Sequence, residues 1–113
     1  MLGLLVTLAA CGPAPEHLSP QQILARAEAA APGDPRLAEL YRGACRECHA
    51  RADSGAPLVH DHAAWDPRWA KGEATLLDHT ISGFNGMPAG GQCFSCTTDD
   101  YRALIAFMAG KGG

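Results

Sequence analysis

The chain has 113 residues, a formal charge of -3 and 6% aromatic residues. That length fits one domain, and the few aromatics leave it a modest core of its own. There is no basic stripe, and Lys71 and Lys111 are the only lysines, which excludes a nucleic-acid-binding surface.

Leu2 to Ala10 is small and apolar and ends in Leu8-Ala9-Ala10-Cys11. The run is too short to span a bilayer. It is read as a signal segment over residues 1–10, and its end resembles a bacterial lipobox, which makes Cys11 the acylation site and a membrane anchor. No Lys or Arg precedes the run, as a signal peptide would usually have. Residues 11–33 read as a tether followed by a short extra helix. Pro13 and Pro15 stiffen the first part, and Ser19-Pro20-Gln21-Gln22 carries the cap, first-turn proline and reciprocal glutamine of a helix start. That helix runs to about Ala30, with a weak apolar stripe of Ile23, Leu24 and Ala27 that could lie on the domain or serve as a spacer.

Residues 34–113 form the main domain. Asp34-Pro35 starts a second helix in the same way, and Leu37, Leu40, Tyr41, Ala44 and Cys48 recur at helical spacing. The stripe leads into Cys45-Arg46-Glu47-Cys48-His49, the C-x-x-C-H pattern of covalent haem attachment. Two thiols one helical turn apart can add across the two vinyl groups of a haem. The adjoining His49 can then offer a ring nitrogen to the iron.

Arg51 to Ala64 reads as loop. Pro57 stands where a backbone carbonyl could accept the N–H of His49 and raise its basicity. His60, Asp61 and His62 are polar loop residues, or contributors to a metal site with no fourth partner in view. Asp66-Pro67 reads as a third cap with its first-turn proline. Beside it, the Trp65 indole N–H and the Arg68 guanidinium are suitable partners for a haem propionate. Glu73 to Ser82 forms a helix with Ala74, Leu77 and Ile81 inward and His79 on the polar side.

Gly83 to Gly91 is a glycine-rich loop holding Met87. Glycine lets backbone pass close to a ring. A thioether on such a loop would complete a His/Met pair, which favours ferrous iron and raises its reduction potential. Met108 lies in an apolar helix and reads as core. Cys93 and Cys96 make a second C-x-x-C. In an exported protein a disulfide between them is permitted; with Cys45 and Cys48 they could instead form a four-thiolate zinc site. Thr97 caps the last helix, with Asp99 and Asp100 in its first turn and Tyr101, Leu104, Ile105, Phe107 and Met108 along its apolar side. This helix is expected to cross the Leu37–Cys48 helix.

From Gly33 to Gly110 the chain resembles the class I c-type cytochromes, and among them the cytochrome c5 family. The likeness is carried by Cys45-Arg46-Glu47-Cys48-His49, Ala56-Pro57, Trp65-Asp66-Pro67-Arg68, the loop Gly83 to Gly91, the Cys93/Cys96 pair and the capped last helix. It implies an all-α class I cytochrome c fold around one covalent haem c, with the extra N-terminal helix outside the family core. Cys45 and Cys48 would form thioethers, His49 and Met87 would be axial ligands, and Cys93 and Cys96 would form a disulfide. The function implied is single-electron carriage between periplasmic or membrane redox proteins, not catalysis at the iron. The family often carries Pro-Pro and a lysine after the axial methionine. Here the run is Met87-Pro88-Ala89-Gly90-Gly91, which removes a cation near the expected haem edge. Two rival functions remain at this level: a haem-based ligand sensor or peroxidase-like module, which needs Met87 displaced, and a structural zinc protein.

Overall fold

The computed structural model describes residues 17–112, so the expected signal segment and Cys11 lie outside the described residues. Among those described there is no β-strand, and no helix is long and apolar enough to cross a membrane. Helix α1 (Pro20–Ala29) opens with a reciprocal cap. The Ser19 hydroxyl accepts the Gln22 N–H at 3.2 Å, and the Gln22 side chain accepts the Ser19 N–H at 2.8 Å. Ala27 is completely buried and Ala30 packs against the same cluster, so α1 lies on the domain and is not a free spacer.

Helix α2 (Pro35–Leu40) starts where Asp34 accepts the N–H groups of Arg36 and Leu37, at 2.8 and 3.1 Å. It continues through a π-helical turn, Tyr41–Cys45, into α3 (Arg46–His49). The π turn lies immediately before and within the attachment motif. Such turns insert one residue into a helix and are common at functional sites.

Helix α4 spans His62–Trp69, with Asp61 before it and Pro67 inside it. This corrects the reading of Asp66-Pro67 as a helix start. Asp66 instead accepts from the His62 ring at 3.1 Å and pairs with Lys111 at 3.2 Å, joining α4 to the chain's end. Pro67 removes the N–H that would have bonded the Ala63 carbonyl, and α4 ends two residues later. What places α4 is Trp65, which is buried and donates its indole N–H to the Leu58 carbonyl at 2.8 Å.

Helix α5 spans Glu73–Ser82 as expected, but Leu76 is its buried residue, while Ala74 and Ile81 are exposed. His79 stacks on Phe84, with ring centroids 3.9 Å apart. Helix α6 (Thr98–Met108) has its own reciprocal cap between Thr97 and Asp100 and buries Leu104, Ile105, Phe107 and Met108. It meets the second helix twice. Phe107 sets its ring edge against Tyr41 at 5.1 Å, and Asp100 takes both arms of the Arg36 guanidinium at 2.7 and 2.9 Å. Tyr41, Leu104 and Val59 are the largest wholly buried side chains, and burial of an aliphatic side chain of this size is worth about 1.5–3 kcal/mol. The core they form, with Trp65 and Phe107, sits directly behind the attachment motif.

Candidate haem-attachment site

Cys45 and Cys48 are free thiols on the π turn and α3; Cys45 is half-buried and Cys48 exposed. Burial pushes the Cys45 thiol up to about 11, so it is held protonated. His49 follows at the end of α3 and is buried. Its Nδ1 lies 2.8 Å from the Pro57 carbonyl oxygen. A carbonyl only accepts, so Nδ1 carries the proton and Nε2 keeps its lone pair. Burial lowers the pKa of His49, against the opposing pull of the Pro57 bond, so the ring is neutral. The Val59 N–H donates to the His49 carbonyl at 2.9 Å, and the Trp65 ring lies 5.8 Å from the imidazole. The histidine is therefore fixed from the loop behind it and from α4.

Trp65 does not present the donor that a propionate would need, whereas the Arg68 guanidinium has N–H groups beyond the one it uses. The Trp65 N–H is committed to Leu58, and exposed Arg68 donates to the Ala64 carbonyl at 2.7 Å. Trp65 serves the site as a wall beside His49.

Met87 is half-buried in the Gly83–Gly91 loop. Phe84 and Met87 exchange backbone hydrogen bonds at 3.0 and 2.9 Å, which closes a hairpin with Asn85 in the left-handed region at φ 51°. Gly83 lies so near the returning chain that a Cβ there would stand 3.1 Å from the Ala89 nitrogen. A short 3-10 turn, Ala89–Gln92, then packs against both α5 and the π turn Tyr41–Cys45. This turn joins the methionine loop to the thiol segment.

Cys93 and Cys96 are bonded as a disulfide. That overturns the four-thiolate zinc reading, because two of the four sulfurs carry no thiolate. Among the described residues no cluster of three or more His, Cys, Asp or Glu could hold a metal, and His60, Asp61 and His62 form none. His60 instead turns its ring onto Phe107 at 5.1 Å.

The donor set suits haem c: two free thiols one turn apart, a neutral imidazole with a bare nitrogen, and a thioether on a loop packed against the thiol segment. The sequence did not single out the Tyr101 hydroxyl, which lies 3.1 Å from the Gly90 carbonyl and 2.9 Å from that of Cys93. Tyr101 was read only for its apolar ring, and its long-range partners leave no local signal.

Residues 33–108 match the family model described as cytochrome c oxidase, cbb3-type, subunit III. The chain is 43% identical over 68 residues to cytochrome c5 of Azotobacter vinelandii, covering 58% of this chain and 82% of that one. It is 39% identical over 75 residues to cytochrome c-555 of Chlorobaculum tepidum, covering 63% and 69%. A chain of the solved electron transfer complex of nitrite reductase with cytochrome c superposes with a TM-score of 0.61 at 35% identity, over 71% of this chain and 98% of that one. Fold and site together define a class I c-type cytochrome. Within that class, the chain belongs to the cytochrome c5 family. It carries covalently attached haem c and works as an electron carrier.

Proposed function

We propose that Cys45 and Cys48 form the thioether bonds to the haem, that His49 Nε2 and Met87 Sδ are its axial ligands, and that the protein carries single electrons between redox proteins on the periplasmic side of a bacterial membrane, anchored by acylation at Cys11. Haem c supplies a one-electron ferric/ferrous couple when bound. Around it, His49 gives a basic nitrogen held by Pro57, Met87 gives a soft neutral sulfur, and the core behind α3 excludes water. The 2.8 Å contact between His49 Nδ1 and the Pro57 carbonyl carries this reading. It commits one nitrogen and frees the other, as the ligating histidines of metal sites require. His49 and Met87 together would leave the iron no open site for a substrate, which is why carriage is proposed and not catalysis.

The Cys93–Cys96 disulfide supports an oxidising compartment, and the Leu8-Ala9-Ala10-Cys11 run supports lipidation. The nitrite reductase complex in which the structural neighbour was solved supports redox enzymes as the class of partner.

The test is the absorption spectrum of haem-matured protein, oxidised and then reduced. Sharp low-spin bands, with a weak long-wavelength sulfur-to-iron band in the oxidised state, are expected. A high-spin spectrum, or a low-spin one without that band, would remove Met87 from the ligand set. For the anchor, Cys11→Ser is expected to move the protein from the membrane fraction to the soluble one. Equal distribution of the two forms would end the lipidation reading.

A further inference from the structure

The loop that bears Met87 closes through three successive residues in the left-handed region: Gly90 at φ 67°, Gly91 at φ 56° and Gln92 at φ 61°. Glycine adopts this conformation freely, but Gln92 has a Cβ and stays there only if its surroundings hold it. Backbone bonds give part of the hold: Gly91 N–H to the Pro88 carbonyl at 3.0 Å, and Cys93 N–H to the Gly90 carbonyl at 2.9 Å. The Tyr101 hydroxyl gives the rest from α6, straddling the turn between the Gly90 and Cys93 carbonyls at 3.1 and 2.9 Å. Burial raises the Tyr101 pKa, so the oxygen keeps the hydrogen it donates.

The backbone is shaped to this contact at both ends. A Cβ on Gly90 would lie 2.8 Å from the Tyr101 oxygen, and a Cβ on Gly91 would lie 3.2 Å from the Met87 methyl carbon. A continuous series of contacts therefore runs from α6 through the Tyr101 hydroxyl and the left-handed turn to the methionine's own methyl group.

We infer that Tyr101 is a positioning residue for Met87: its hydroxyl holds the turn shut, and so sets how readily an outside ligand displaces the methionine from the iron. The inference rests on the reading of Met87 as an axial ligand. A ligand that binds only the open form has an apparent dissociation constant divided by the fraction open. Tyr101 therefore acts on that constant without touching the ligand.

The test compares haem-matured full-length protein with Tyr101→Phe, titrating each with imidazole and following loss of the sulfur-to-iron band. Removing one partly buried hydrogen bond should tighten imidazole binding about three- to tenfold. The band should remain intact before imidazole is added. Ser19→Ala, which removes the N-cap of α1, should leave imidazole affinity unchanged. Gly90→Ala should act in the same direction as Tyr101→Phe and serves if that variant does not mature. An unchanged affinity in Tyr101→Phe, or an equal change in Ser19→Ala, would overturn the role. Met87→Ala separates the two readings. Loss of the band there leaves Met87 as ligand whatever Tyr101→Phe does, whereas a retained band overturns both.

Discussion

His49 has two ring nitrogens, and the protein has settled which does what. The Pro57 carbonyl accepts the N–H of one, and burial keeps the ring neutral so that the other is a base. Met87 is held with similar care, because a Cβ on the glycine facing it would stand 3.2 Å from its methyl carbon. Gly91→Ala would press a methyl into the methionine and force a left-handed backbone on alanine. The expected outcome is a weakened sulfur-to-iron band, with overall helicity by circular dichroism close to wild type. Met87→Ala should go further, abolishing that band and lowering the reduction potential measured by spectroelectrochemistry. Trp65→Phe tests the wall beside His49. It would leave the Leu58 carbonyl without its donor, at about 1–3 kcal/mol of stability in a denaturant titration.

Arg36 and Asp100 tie the first turn of α2 to the first turn of α6, across 64 residues of sequence. Asp100 also accepts the Thr97 N–H at 2.9 Å, so one buried carboxylate caps its own helix and clamps another. The Arg36 guanidinium, followed by the Thr97 amide, holds the Asp100 carboxyl well below the usual carboxylate range. A carboxyl depressed in the folded state stabilises it above the ordinary carboxylate pKa, and the benefit fades as pH falls towards the depressed value. Arg36→Leu takes away the main cause of that depression, so acid unfolding should begin at a higher pH than in the wild type. The Cys93–Cys96 bridge closes a very short loop. By the chain-entropy relation, the double change to serine should cost about 2 kcal/mol in a urea titration. The elements themselves were largely legible because their caps are local: Ser19 with Gln22, Asp34 with Pro35, Thr97 with Asp100. Helix α4 was not, because Asp66-Pro67 imitates a helix start while the real determinant, the Trp65 bond to Leu58, spans a loop.

Across the whole molecule, the same division between local and distant signals explains what the sequence disclosed. The thiols, the histidine and the methionine loop are contiguous motifs and could be read directly. The groups that hold them are distant in sequence: Phe107 against Tyr41, Arg36 against Asp100, Tyr101 against Gly90. The donor expected for a propionate at Trp65 is instead engaged by the Leu58 carbonyl, a loop contact that leaves no mark in the sequence. The core these contacts build is small, so it depends heavily on each large member. Phe107→Ala should cost about 3–5 kcal/mol, read as a lowered denaturation midpoint with an unchanged slope. The burial of Ala27 has a further consequence, for distance. By drawing α1 onto the body, it takes the ten residues Pro20–Ala29 out of any spacer. If the chain is acylated at Cys11 as proposed, that helix adds nothing to its reach, and partners would be met close to the lipid surface.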